Sequence, residues 1–227
     1  MKNFNTYISE KLKITKSMLG NQSTKKMLDN PEDYVDLSLP SGTLWAKCNV
    51  GANEEHEYEW YYAWGETETK DTYNWDTYKF SIEQNVEDDV QQSNMSKYNY
   101  KDGIKKLQPE DDVVNVIMGN NCHIPTKAQF DELLTLKNEW VENYKNTGVN
   151  GRLFNGKNGK TLFLPVAGYM KDDKKFDENA RGLYHCTMIN YHYAHETYFL
   201  FISKVSKNVN KDGYRCDGES IRGVMNK

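Results

Sequence analysis

Long apolar runs are missing from this chain. Over 227 residues the hydrophobic fraction is 37% and the mean hydropathy is −0.87. No window approaches the roughly 20 consecutive apolar residues that cross a bilayer, so no membrane span is expected. A basic excess is missing as well. The 29 Lys and Arg face 33 Asp and Glu, a net charge of −4, whereas nucleic-acid binding draws on a basic face that displaces counterions; nucleic acid is not an expected partner. The amino-terminal residues have neither a continuous apolar core nor a small-residue cleavage site, so no secretory signal is read. Cysteine is sparse. Cys48, Cys122, Cys186 and Cys216 form no C-x-x-C pair, and without export the expectation is reduced thiols and no zinc, with a Cys186–Cys216 bridge as the alternative.

Catalytic signatures are equally scarce. Gly148, Gly151, Gly156 and Gly159 crowd one segment, but it lacks the Lys-Ser/Thr ending and following helix of a phosphate loop. No Gly-x-Ser-x-Gly elbow occurs. His185, His192 and His195 fall close together without the helix-borne spacing of metal ligands. No metal and no cofactor is expected.

Aromatic residues are what the chain has in quantity, 13% of positions with 16 Tyr and 5 Trp. Few aliphatics and many rings suit a loop-rich fold whose core is filled by large side chains. The most apolar stretch, Thr161-Leu162-Phe163-Leu164-Pro165-Val166-Ala167-Gly168-Tyr169, is expected to be the central strand. Arg152–Asn155 should pair with Thr161–Leu164 as a hairpin. Alternation on both sides of Pro40-Ser41-Gly42 predicts another hairpin over residues 34–46. Thr126-Lys127-Ala128-Gln129 is a capping-box pattern and predicts a helix from Lys127 to about Leu136. Pro109 and the acids after it suit a helix start. Tyr198–Ile202 reads as a second apolar strand and Ser220–Val224 as the closing one. Residues 169–181 read as a charged loop, and residues 70–106 as an irregular excursion with its own aromatic pins, among them Tyr73, Trp75, Tyr78, Tyr98 and Tyr100.

The first residues differ in kind. Phe4, Tyr7, Ile8 and Leu12 form one stripe of a short amphipathic helix. Residues 1–16 are therefore read as an anchor segment, 17–32 as a linker and 33–227 as the domain.

The order of motifs carries a resemblance. Val35-Asp36-Leu37 is followed by Leu44-Trp45-Ala46-Lys47-Cys48-Asn49-Val50-Gly51-Ala52 and by Tyr61-Tyr62-Ala63-Trp64-Gly65-Glu66. After these come Ile124-Pro125-Thr126-Lys127-Ala128-Gln129-Phe130-Asp131-Glu132-Leu133, then Phe163–Tyr169, then Ser220-Ile221-Arg222. The series resembles the major paralogous domain family of Bacteroidetes and Fibrobacter surface proteins and their phages, over roughly residues 33–224. That family is similar to the C-type lectin-like fold of retroelement-diversified variable proteins and formylglycine-generating enzymes. The resemblance implies an α+β domain with short twisted antiparallel strands, one or two helices and long ordered loops.

The same resemblance implies a ligand face in the carboxyl-terminal block. Its candidates are Tyr184, His185, Asn190, Tyr191, His192, Tyr193, His195, Asn208, Asn210, Asp212, Tyr214 and Arg215, a composition like that of antibody paratopes. Relatives often carry Trp-Ser-Ser where this chain has His185-Cys186-Thr187, and Pro where it has Gly223. The function expected is a non-enzymatic binding module on a phage virion, made in the host cytoplasm. Capsid or tail proteins would receive the Phe4, Tyr7, Ile8 and Leu12 stripe, the domain would bind a host-surface protein or glycan, and a homo-oligomer is expected. Two alternatives stand beside it: an oxidative enzyme of the formylglycine-generating type using Cys186 and Cys216, and a purely structural capsid cement.

Overall fold

The computed structural model describes residues 33–82, 94–119 and 121–226. The anchor stripe and the linker lie outside the described residues. The described residues are α+β, with antiparallel sheets and two short α-helices. None of the described helices is long and apolar enough to cross a membrane.

Strands β1 (Tyr34–Asp36) and β2 (Leu44–Ala46) form the first hairpin, with Val35 opposite Trp45. Strand β12 (Val224–Met225) pairs with β2 and then with β3 (Cys122–His123), so the two ends of the described domain close on one sheet. Helix α1 (Val113–Met118) is capped by Asp112, whose carboxylate accepts from Val114 N, Asn115 N and Ile124 N; a single 3-10 turn over Pro109–Asp111 leads into it. Helix α2 (Lys127–Leu134) starts at the expected capping box of Thr126 and Gln129. It stops two residues short of the expected end. The chain continues into β4 (Lys137–Val141), so Trp140 sits on a strand.

Strands β4, β5 (Gly151–Asn155) and β6 (Thr161–Pro165) make the second sheet in that order. The expected hairpin is present, with Arg152 opposite Leu164 and Asn155 opposite Thr161. The expected centrality of β6 is not. It is an edge strand that stops at Pro165, where the missing N–H ends a ladder. It looked central because Leu162, Phe163 and Leu164 are all buried, covered by side chains from outside their own sheet. Residues 169–181 also differ from expectation. They contain a hairpin, β7 (Tyr169–Lys171) and β8 (Lys174–Phe176), closed by Asp172-Asp173 with Asp172 at φ 52°. Its mostly exposed, lysine-rich strands gave no apolar alternation to read. The third sheet has β10 (Glu196–Ser203) between β9 (Arg181–Ile189) and β11 (Lys207–Tyr214). The closing strand is shorter than expected, because Ser220 makes only a bridge to Tyr184 before the chain reaches β12.

The described residues pack into a ring-rich core and a mainly aliphatic one. One gathers Tyr62, Trp64, Tyr73, Tyr78, Phe80 and Tyr98; the other packs Trp45, Phe130, Leu133 and Phe154 with the inner faces of β6, β9 and β10. The aromatic pins of the excursion are therefore real: Tyr73, Trp75, Tyr78 and Tyr98 are buried, while Tyr100 stays outside. Each hydroxyl in this set is employed. Tyr78 Oη donates to Trp64 O, and Tyr98 Oη donates to Asp111 Oδ2 while accepting from Gln108 N. Burial opposes ionisation of Asp111. Hydrogen bonds from Lys79, Lys97 and Tyr98 outweigh it and hold its carboxyl below the usual carboxylate range.

Loop carbonyls need donors wherever they are buried. Three buried arginines supply them, and among the described residues none of the three is in an ion pair. Arg222 donates to Asn49 Oδ1, Ala46 O, Lys47 O and Phe163 O. Arg152 reaches Asn138 Oδ1 and Ser203 O. Arg215 is the third, and it supports the site.

Candidate functional site

The carboxyl-terminal block is mostly strand, and a strand sends alternate side chains to opposite faces. The twelve expected contact residues therefore divide. Tyr184, His185, Asn190, His195 and Arg215 are buried. They build the frame. Tyr184 Oη donates to Pro165 O, His185 Nε2 lies 2.8 Å from Tyr62 O, and Asn190 Nδ2 donates to Glu196 Oε2 and Lys211 O. Arg215 Nε donates to Tyr78 Oη, and its other nitrogens donate to Lys97 O, Tyr98 O and Ala194 O. Its guanidinium is also ringed by aromatics, with Trp64 at 4.9 Å. As placed, these five side chains are not available to a ligand. The residue types that suit a contact surface also suit buried hydrogen-bonded supports, and composition does not separate the two.

Tyr191, His192, Tyr193, Asn208 and Asp212 are exposed, and Asn210 and Tyr214 are half-buried. Asn208 donates to Asn210 Oδ1 and lies outside the cleft, and the other six line two neighbouring surfaces. The first is a ridge at the turn between β9 and β10. Tyr191 meets Tyr100 edge-on with ring centroids 5.4 Å apart, Lys105 Nζ stands 3.8 Å over the Tyr191 ring, and Tyr100 Oη donates to His192 O. Tyr193 is 51% exposed, a large ring held out into water. Arg215 fixes this turn from beneath through Ala194 O.

The second surface is a cleft of about 330 Å³ between the β7–β8 hairpin and the β9-β10-β11 sheet. Tyr169 and Tyr214 contribute aromatic surface, Phe199 and Phe201 apolar surface, and Asn210 and Asp212 polar groups. Ridge and cleft join through ring contacts: Tyr193 meets His195 edge-on at 6.1 Å, and His195 lies tilted at 5.9 Å from Tyr214. Sequence reading missed Tyr169, Lys171, Asp177 and Arg181 as cleft residues because it took their segment for a plain loop. The Asp172-Asp173 pair between two short polar runs was the available sign of a hairpin. Tyr100 was singled out, but as a core pin.

The two cysteines of the enzymatic alternative sit in different cores, Cys186 in the aliphatic one and Cys216 in the ring-rich one. Burial pushes the Cys186 thiol up to about 12. A nucleophilic cysteine needs the opposite, an accessible thiol with a lowered value.

No protein-family model, curated protein or solved structure matches this chain.

Proposed function

We propose that the chain is a non-enzymatic binding module of the C-type lectin-like kind, using the ridge and the cleft as one contact face. The observation that carries the reading is the arrangement around Tyr191 and Tyr193, rings held in water by a turn whose backbone is fixed from below. Side chains with few rotatable bonds on a fixed backbone lose little entropy on contact, and such residues dominate binding energy at interfaces. The short antiparallel strands, two small helices and ordered loops support the fold part of the proposal. The sequence resemblance supports the setting, a phage particle whose surface receives Phe4, Tyr7, Ile8 and Leu12. The partner on the free side is a host-surface glycan or protein, and several copies per particle would multiply a weak affinity.

The double variant Tyr191→Ser, Tyr193→Ser tests this. Each ring is expected to contribute above about 1 kcal/mol, so binding to host cells should weaken roughly ten- to a hundred-fold. The melting temperature should stay near wild type, because both rings are outside the core. Wild-type cell binding by the double variant would overturn the proposal.

A further inference from the structure

A carboxylate at the base of the cleft has fewer hydrogen bonds than its burial calls for. Glu219 is 1% exposed and borders the cleft, with its backbone fixed by a two-way bridge to Tyr62. Beside it His185 is fully buried. Nε2 of His185 faces the carbonyl of Tyr62 at 2.8 Å, and a carbonyl only accepts, so Nε2 carries a proton. Nδ1 of the same ring is 3.1 Å from Glu219 Oε2. Neither Nδ1 nor Oε2 has a hydrogen bond.

Gly213 packs closely beside this carboxylate. A Cβ there would stand 2.7 Å from Phe199 Cδ1 and 3.2 Å from Glu219 Oε1. Besides Glu219 the cleft has three carboxylates, Asp177, Asp212 and Asp217, against Lys171 and Arg181. The aromatic wall already accepts a cation, since Lys171 Nζ stands 5.8 Å from the Tyr214 ring centroid.

We infer that the cleft takes a primary ammonium, directed to Glu219 and walled by Tyr169 and Tyr214. This rests on the cleft being part of the ligand face. A lysine side chain and an amino sugar share that chemistry, and about 330 Å³ accommodates either. His185 is the positioning residue, with Nδ1 3.1 Å from Glu219 Oε2.

The test uses the full chain, NMR, and three probes at millimolar concentration: Nα-acetyl-lysine amide, glucosamine and the neutral N-acetylglucosamine. Both ammonium probes should shift the resonances of Gly213 and Tyr214 and the Nδ1 signal of His185, whichever binds more tightly naming the source. Glu219→Gln should weaken them at least tenfold and abolish the Nδ1 shift. Lys171→Met, an exposed change that leaves the core untouched, should tighten them about three- to tenfold by removing the resident ammonium. Unchanged or weaker binding in Lys171→Met overturns the inference. Equal binding of N-acetylglucosamine and glucosamine overturns it too, while leaving the cleft as a ligand site. Absence of any shift from the ammonium probes also overturns it, and the proposed function is then decided by the tyrosine variant alone.

Discussion

Arg215→Ala is expected to lose about 4 kcal/mol of folding stability, the cost of stripping donors from several buried acceptors at about 1–3 kcal/mol each. The side chain is fully buried and makes four hydrogen bonds of 2.9–3.2 Å to Tyr78 Oη, Tyr98 O, Ala194 O and Lys97 O. Its removal also leaves a void among Trp64, Tyr78, Phe80 and Tyr98, and voids add their own penalty. A domain of this size should then melt roughly 8–16 °C lower. Because natural domains hold only about 5–15 kcal/mol in all, this one change removes a large part of the reserve. Arg215→Lys keeps an ammonium but not the fork of donors, so it should fall between wild type and Arg215→Ala. Thermal melting of the three proteins checks the order, and a melting point for Arg215→Ala within a degree or two of wild type would refute it.

Gly168→Ala is expected to be nearly as damaging, and to act on the cleft directly. Gly168 has φ +68°, a region that costs other residues about 1–2 kcal/mol. An added Cβ would also stand 2.0 Å from Phe176 O and 2.8 Å from Glu178 N, backbone atoms that cannot swing aside. Overpacking of that kind typically costs a further 1–3 kcal/mol, so the total is about 2–5 kcal/mol. The strain falls where β6 hands the chain to the β7–β8 hairpin, which carries Tyr169 and Lys171 and is followed by Asp177. The hairpin should detach from the sheet before the rest of the domain unfolds. Hydrogen exchange should show faster exchange at Met170 and Gly218, whose backbones bond each other in both directions at 2.7–2.8 Å. Exchange there at the wild-type rate would contradict the account.

Local pattern made some of this legible from sequence. The capping box at Thr126 and Gln129, the β5–β6 hairpin and the β1–β2 hairpin each depend on residues within a few positions of one another, and all three are present. The failures are non-local. Whether the 161–165 strand lies at a sheet edge depends on where β4 goes, and its own composition is silent on that. Tyr184 and Arg215 have the chemistry of contact residues, yet Pro165 O and the Ala194 and Lys97 carbonyls draw them inward. Lys171 and Arg181 join the cleft only because a hairpin folds across β9–β11. Composition singled out side chains of the carboxyl-terminal block; their division into support and surface needed the strand register.

The central claim is that ridge and cleft form one contact face on a stiff frame. Its most direct test is a backbone amide protection map of the chain, recorded free and bound to fragments of host envelope. Protection should gather at residues 191–193 and 210–214, with residues 169–171 beside them and little change in the β4–β5–β6 sheet. Protection confined to that β4–β5–β6 sheet, with 191–193 and 210–214 unaltered, would contradict the claim.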